Sequence, residues 1–410
     1  MKILMVTFSF YPDGIGGMHS YVYNLGKELI KKGHDVYVIT VKMKKDAPDE
    51  EVIEGMKVYR YDEGISGNLV YIRRFILSII NGRRLFSKLV KKIEFDVINF
   101  HSIFPAYGIN LLFKIKNIPR IYTFHSSAYK DILIQSKKKR YAFPLLNELI
   151  FLLVKHVECM SLKAADRIIV LSNFSKRYIV DTYLHSSEKI ILIPGGVDSS
   201  NFSPLLDKTI LRNKLNLPDN KLILLTARRL VARMGLENLI LAMPIISEEI
   251  PRIFLLILGD GFLKKELKRL ISKEGLEEKV ELLGFVDFKM ISDYYQAADI
   301  FILPSEQDEW FGLVALEGLS SGLPVLSTPT GGSLEILSRF DESLIFAGTS
   351  PRDIAQGIIS FVKRTNDLAE FGKKCRQFIL ENYSWERVAG EIELLYNKEI
   401  KKITDRRLYA

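Results

Sequence analysis

The sequence predicts an α/β protein of two doubly wound domains, each built on a mostly parallel sheet. Three observations lead there. At 410 residues the chain exceeds one ordinary domain and fits two of nearly equal size. Short apolar runs alternate with helical stretches along most of its length, as strand-helix-strand crossovers do. The alternation halts near Asp198, crosses a Ser/Asn/Pro-containing stretch, and resumes at Leu222. This divides the chain into residues 1–198 and 199–384, with a last helix over about 385–403 able to cross back onto the first domain.

The elements follow in order. Ile3 to Phe8 is a continuous apolar run, followed by a loop from Ser9 to Gly17, a helix from about Met18 to Lys32 stopped by Gly33, and a strand from Val36 to Val41. Further strands are expected at Val97 to Phe100, Ile121 to Phe124, Ile168 to Leu171 and Ile190 to Pro194. In the second half they are expected at Leu222 to Thr226, Ile253 to Leu258, Val280 to Leu283, Ile300 to Leu303 and Pro324 to Ser327. Helices at Leu263 to Lys273 and Leu313 to Ser320 fall between them, and Trp385 to Ile400 closes the series.

Composition narrows the class. With 48% hydrophobic and 26% charged residues the chain can fill two cores and is not a disordered one. Its two cysteines, Cys159 and Cys375, have neither disulfide-framework nor zinc-ligand spacing, so a reducing cytoplasm is the expected setting. The first apolar run reads as a strand, not a signal segment. The longest apolar stretch, Phe143 to Met160, is interrupted by Asn147, Glu148, Lys155, His156 and Glu158, so no transmembrane span is expected.

Charge is concentrated. Residues 71–140 hold fifteen Lys or Arg against Glu94, Asp96 and Asp131, a net of +12 in a chain of +9, which leaves −3 elsewhere. Apolar residues Phe75, Ile76, Leu77, Ile79, Ile80, Leu85 and Phe86 are interleaved with these charges. The combination suits an anionic membrane surface or a phosphorylated lipid, with a solvated basic face as the plainer alternative. Nucleic acid is not the expected partner, because no recognition module accompanies the charge.

In open α/β sheets ligands bind beyond the carboxyl ends of the strands, so the loops there are the candidates. The first carries Gly14-Ile15-Gly16-Gly17 before a helix, where backbone amides can meet an anion. It is not a dinucleotide fingerprint: His19 stands where the third glycine belongs, and the second strand ends in Thr40-Val41-Lys42 with no acidic residue. The strongest site is Glu309-Trp310-Phe311-Gly312-Leu313-Val314-Ala315-Leu316-Glu317. A helix starting near Gly312 presents free amides for a pyrophosphate, and Glu317, one turn past Leu313 on the same face, offers a carboxylate for vicinal ribose hydroxyls. Glu309 lies before the helix, able to reach a sugar on the other side of the pyrophosphate.

Two glutamates eight positions apart around Phe-Gly-Leu resemble the hallmark of glycosyltransferase family 4. The resemblance extends through Gly16-Gly17, Gly33-His34-Asp35-Val36, Phe124-His125, Pro194-Gly195-Gly196-Val197-Asp198, Arg228-Arg229-Leu230, Met234-Gly235-Leu236-Glu237, Gly259-Asp260-Gly261, Gly284-Phe285-Val286, Gly322-Leu323-Pro324-Val325 and Gly331-Gly332 before Glu335. It implies the GT-B fold, two Rossmann-like domains facing across a cleft that holds the acceptor, and a nucleotide-sugar donor bound by the second. It assigns Glu317 to the ribose, Glu309 to the donor sugar, and a histidine near that sugar to His125. Gly16, Gly17, Gly259, Phe285, Val286, Phe311, Gly312, Leu313 and Val314 fall in donor-binding motifs. The family's diphosphate arginine maps to Arg229 or, one residue shifted, to Arg228. Its lysine position holds Met234, and Arg233 beside it is the expected substitute, since a guanidinium can clamp a phosphate in bidentate fashion. His101 occupies the place equivalent to His125 one strand earlier and is read as structural.

The resemblance also implies retention of anomeric configuration by front-face attack, with no protein nucleophile. The sequence has no Asp-x-Asp pair for a metal clamp, so helix-end amides and arginines are expected to stabilise the leaving group, with no metal or other cofactor. UDP-sugars rank first among donors and GDP-sugars next. A glycan or lipid-linked acceptor, and a cytoplasmic site peripheral to the inner face of the cell membrane, complete the expectation. A nucleotide-sugar epimerase on the same fold and a non-catalytic sugar-nucleotide sensor are the alternatives.

Overall fold

The computed structural model describes residues 1–14, 16–62, 70–112, 117–138, 144–183 and 186–408. Ile15, the basic residues Lys114, Lys116, Lys139 and Arg140, and Phe143 lie outside the described residues. The chain divides into two units, one of Met1–Gly195 with Trp385–Ala410 and one of Gly196–Ser384.

Among the described residues of the first unit eight strands form one sheet: β1 Lys2–Val6, β2 Asp35–Val41, β3 Glu50–Ile53, β4 Met56–Tyr61, β5 Val97–Phe100, β6 Arg120–Phe124, β7 Arg167–Val170 and β8 Ile190–Leu192. Their order is β3-β4-β2-β1-β5-β6-β7-β8. All neighbours are parallel except β3 against β4. Ile3, Leu4, Met5 and Val6 of β1 are fully buried, as a central strand covered on both faces must be. The sequence direction reverses between β1 and β5, and this switch point opens the crevice beside the loops after those strands.

The β3–β4 hairpin adds to the elements expected from sequence. It turns on Glu54 and Gly55, both at positive φ (49° and 83°), the geometry of a tight two-residue hairpin loop. Its alternation is masked because an inward position of β4 holds Arg60, only 4% exposed. The Arg60 guanidinium donates to Asp13 Oδ2 at 2.9 Å and pairs with Glu51, so a charge sits where a pattern search expects an apolar residue.

The last helix, Trp385–Leu408, belongs to the first unit and runs beyond the expected Ile400. Trp385, Val388, Ala389, Ile392 and Tyr396 are buried at helical spacing. Buried Asn99 of β5 donates to Tyr396 Oη at 2.6 Å. Glu393 meets His34 Nε2 at 2.9 Å and Lys32 at 3.2 Å, and Arg167 donates to Glu399 at 2.8 Å.

The second unit has five strands, all parallel: β9 Leu222–Ala227, β10 Ile253–Leu258, β11 Val280–Gly284, β12 Ile300–Leu303 and β13 Val325–Ser327, in the order β11-β10-β9-β12-β13. Its switch point lies between β9 and β12. The loops leaving those two strands carry Arg228 and Glu309, so topology alone brings the two regions together.

Candidate functional site

In the second unit the β9 and β12 loops meet in a hydrogen-bonded triad. Arg228, 9% exposed, donates through Nη1 to Ser305 Oγ at 2.6 Å and through Nη2 to the Glu309 carboxylate. Ser305 Oγ donates to the same Glu309 oxygen at 3.0 Å. Burial works to raise the Glu309 pKa, but attraction to Arg228 and Arg233 with hydrogen bonds from Arg228 and Ser305 outweighs it, and the carboxyl is held below its ordinary range. The result is an ionised carboxylate fixed in direction, with a buried guanidinium beside it.

Neighbouring groups hold that loop in shape. Arg233, 7% exposed, donates to the Asp308 carbonyl at 2.9 Å, and Asp308 itself is left-handed at φ 48°. Gly331 and Gly332 close over Glu309: a Cβ on Gly331 would lie 2.0 Å from the Glu309 carbonyl, and the Gly332 amide donates to that carbonyl. At Gly259, where φ is 137°, a Cβ would come within 1.7 Å of the Arg228 carbonyl. The glycine there is demanded by strand-loop approach around Arg228, whatever else its amide does.

Gly312 adopts φ 91° as N-cap of the helix Leu313–Ser320. The Ala315 amide already turns back to the Gly312 carbonyl at 2.8 Å, whereas those of Leu313 and Val314 have no partner among the described residues. Phe311 is buried at 5% and anchors the entry to this helix; Phe285 is 56% exposed and Val286 half-buried. One turn into the helix, Glu317 Oε2 accepts from Tyr295 Oη at 2.9 Å. Tyr295 is fully buried and stacked on Phe301 of β12 at 5.2 Å between centroids. Burial pushes the Glu317 carboxyl up to about 7, and the tyrosine hydrogen bond only partly offsets it.

Of the two arginines after β9, Arg228 turns inward to Glu309 while Arg229 is exposed. Met234, at the lysine position of the resemblance, is 6% exposed and lies in the apolar interior. Ser305 and Tyr295 stand at the site without having been among the residues expected there. Ser305, one residue past Pro304 at the end of β12, could have been flagged by position; Tyr295 comes from another helix and left no linear signal.

In the first unit the loops after β1, β5 and β6 gather around the switch point. Ser102 Oγ accepts from the Phe8 amide at 2.7 Å, and Ser9 Oγ is hydrogen-bonded to His19 Nε2 across the glycine loop. Gly16 and Gly17 are exposed at the start of the helix Gly17–Lys31. His125 follows β6, with Nε2 3.0 Å from His101 Nδ1, and burial followed by the nearby His19 drives its pKa down to about 3. His19, absent from the expected set, therefore stands at the same site. Among the described residues no three His, Cys, Asp or Glu side chains gather as a metal site.

The sequence profile described as Glycosyltransferase Family 4 matches residues 15–201, and that of Glycosyl transferases group 1 matches residues 207–378. An uncharacterized glycosyltransferase of Methanocaldococcus jannaschii is 27% identical over 97% of this chain and 98% of its own length. A phosphatidylinositol N-acetylglucosaminyltransferase chain of Arabidopsis thaliana is 25% identical over 98% of this chain and 83% of its own length. Among solved structures, sucrose-phosphate synthase from Thermosynechococcus elongatus superposes with a TM-score of 0.78 at 25% identity, covering 97% of this chain and 98% of that one. The fold and the two profiles together thus define a glycosyltransferase of the GT-B class. Within that class the chain belongs to the family 4-like glycosyltransferases, its two halves matching the two profiles in turn.

Proposed function

We propose that this enzyme transfers a sugar from a nucleotide diphosphate donor, a UDP-sugar first and a GDP-sugar next, to an acceptor hydroxyl with retention of configuration and without a metal ion. The observation that carries the reading is the Arg228–Ser305–Glu309 triad one short loop away from the free helix amides of Leu313 and Val314. In this reading the amides and the guanidinium groups of Arg228 and Arg233 stabilise the departing diphosphate, and Glu309 orients the sugar. Arg229, exposed next to Arg228, is a further contact for the donor. Glu317 receives the ribose hydroxyls. The bond from the anomeric carbon to the diphosphate breaks, the acceptor oxygen bonds to that carbon on the same face, and its proton passes to a diphosphate oxygen. No carboxylate nucleophile is required.

A lipid-linked acceptor at an anionic membrane surface is the second half of the proposal. The helix Val70–Leu89 exposes Arg73, Ile76, Ile80, Arg84 and Lys88 at helical spacing, with Ile76 50% and Ile80 37% exposed. The helix Pro144–Ala164 exposes Leu149, Leu152 and Leu153 at 53%, 64% and 54%. Among the described residues no helix is long and apolar enough to cross a membrane, so these faces suit surface contact. The relative in Arabidopsis thaliana, by its name, acts on phosphatidylinositol, which favours a phospholipid-type acceptor.

The test is turnover of UDP-, GDP- and ADP-sugars with lipid-linked and soluble acceptors in the presence of EDTA, with the product anomer read by NMR. Transfer with retention supports the proposal. An inverted product, loss of activity on chelation, or conversion of donor to an isomeric nucleotide sugar without acceptor overturns it.

A further inference from the structure

His101 reads as structural from sequence, yet its surroundings give it a directed task. Its backbone amide donates to the Val6 carbonyl at 2.8 Å, which continues the β5–β1 ladder and fixes the residue, and its ring is buried at 3% exposure. Nδ1 lies 3.0 Å from His125 Nε2, with the two rings 26° from parallel. Tyr21 packs edge-on to His125 at 4.8 Å between centroids and lies 5.9 Å from His101, closing the pair off from that side. His101 Nε2 is buried with no hydrogen-bond partner, and the Tyr21 hydroxyl is likewise buried and unpartnered. His125 Nδ1 has no partner among the described residues either, but it is not sealed in.

One proton must sit between His101 Nδ1 and His125 Nε2, because two neutral imidazoles share a hydrogen bond only as donor and acceptor. Burial keeps both rings neutral, pushing each pKa below the ordinary histidine range. If His125 donated, His101 would carry its own proton on Nε2, a buried N–H with nothing to accept it; a group left unsatisfied in that way costs about 1–3 kcal/mol. If His101 donates, its Nε2 keeps only an unpaired lone pair, the lesser penalty, since orphaned buried N–H groups are the rarer kind. The second arrangement places the His125 proton on Nδ1, the nitrogen that is not enclosed.

We propose that His101 is a positioning residue that locks His125 in the Nδ1–H tautomer, so that His125 presents a hydrogen-bond donor, not a base, to a ligand hydroxyl oxygen in the switch-point crevice of the first unit. A histidine's tautomer is set by the bond its other nitrogen makes, and here that partner is a second histidine fixed by the sheet. The inference rests on the reading of the chain as a sugar-transferring enzyme. It agrees with a reaction in which the acceptor proton leaves on the diphosphate and no protein base is needed.

The experiment is long-range 1H–15N NMR of the full chain labelled at histidine, with the His125 signals assigned by their loss in His125→Ala. The native enzyme should show His125 protonated at Nδ1. His101→Asn, whose amide nitrogen can take the place of Nδ1, should keep that tautomer and most of kcat. His101→Gln and His101→Leu should shift His125 toward Nε2–H and lower kcat by about tenfold or more, with donor KM within about twofold. Two variants of different polarity guard against a folding failure in one. A His125 protonated at Nε2 in the native enzyme, or a tautomer unchanged in both His101→Gln and His101→Leu, overturns the lock. A tautomer that shifts as expected while neither those variants nor His125→Ala alters kcat overturns instead the role of His125 in transfer, on which the consequence for catalysis depends.

Discussion

At the scale of residues, the two glutamates of the motif are set apart by their surroundings. Glu309 sits against Arg228 and stays ionised; Glu317 faces a buried tyrosine and holds its proton up to about pH 7. In the proposed role at the ribose, ionised Glu317 offers both oxygens as charged acceptors, whereas the protonated acid accepts more weakly and turns one oxygen into a donor. Nucleotide affinity should therefore rise with pH and level off above 7, falling about tenfold per pH unit below it. Calorimetric titration of UDP between pH 5.5 and 8.5 measures this, and Glu317→Gln should flatten the profile. The folding sign is opposite. A carboxyl whose folded pKa is raised contributes stability that is complete below its ordinary value of 4.5 and lost as pH climbs through 7, so Glu317→Gln should gain relative stability at alkaline pH. A second residue-level prediction concerns the triad. Arg228→Ala strands a partly buried carboxylate and should cost about 3 kcal/mol in chemical denaturation, and adding Glu309→Ala should restore part of it. If the double variant is less stable than Arg228→Ala alone, the pair is not coupled as described. The motif glutamates were legible in the linear sequence because they lie eight positions apart, Glu309 in the loop just before the helix Leu313–Ser320 and Glu317 on it. Tyr295 was not, because it reaches Glu317 from a separate helix, and His19 was not, because its neighbours at the first-unit site come from other strand loops; Ser305, four residues before Glu309 in the same loop, was within reach of a positional reading.

At the scale of elements, the helix Val70–Leu89 is decisive for the membrane proposal. Its exposed line of Arg73, Ile76, Ile80, Arg84 and Lys88 mixes charge and apolar surface on one face, and each basic residue near anionic headgroups contributes roughly 1 kcal/mol. Binding to phosphatidylserine vesicles should weaken as salt rises, and Arg84→Glu with Lys88→Glu should reduce it at least tenfold in a sedimentation assay. Equal binding to neutral vesicles, or a salt-independent signal, removes electrostatics from the account. A neighbouring lesson comes from β4: the run that reads Lys57-Val58-Tyr59-Arg60-Tyr61 hides a strand because Arg60 points inward. Periodicity finds a face that is uniformly apolar and misses one that buries an ion pair. The loops at Gly259 and Gly331 make a similar point, since their glycines are required by carbonyls of residues far away in sequence. Gly259→Ala should destabilise the second unit by more than about 1 kcal/mol and weaken nucleotide binding, because the Arg228 strand end must move.

For the whole molecule, the helix Trp385–Leu408 returns to the first unit after the second is complete. Its Trp385 packs edge-on against Tyr21 at 5.1 Å between centroids, and Tyr396 receives the buried Asn99 amide. Trp385→Ala should cost about 3–5 kcal/mol, and Tyr396→Phe about 1 kcal/mol. Hydrogen exchange by mass spectrometry should show the lost protection in β1 and β5 and not in β9 or β12. Loss confined to the second unit would refute this assignment of the helix.

By itself the sequence determined the α/β class, the duplication into two wound sheets, and the carboxylate–helix motif, since each depends on periodicity or on residues within two turns of one another. Tertiary structure alone decided that Arg228 turns to Glu309 while Arg229 is exposed, that Tyr295 meets Glu317, and that His101 reaches His125. The physical reason is the switch point. Where strand order reverses, loops distant in sequence converge, and which side chain turns inward is set by hydrogen-bond satisfaction in the folded sheet, not by local propensity.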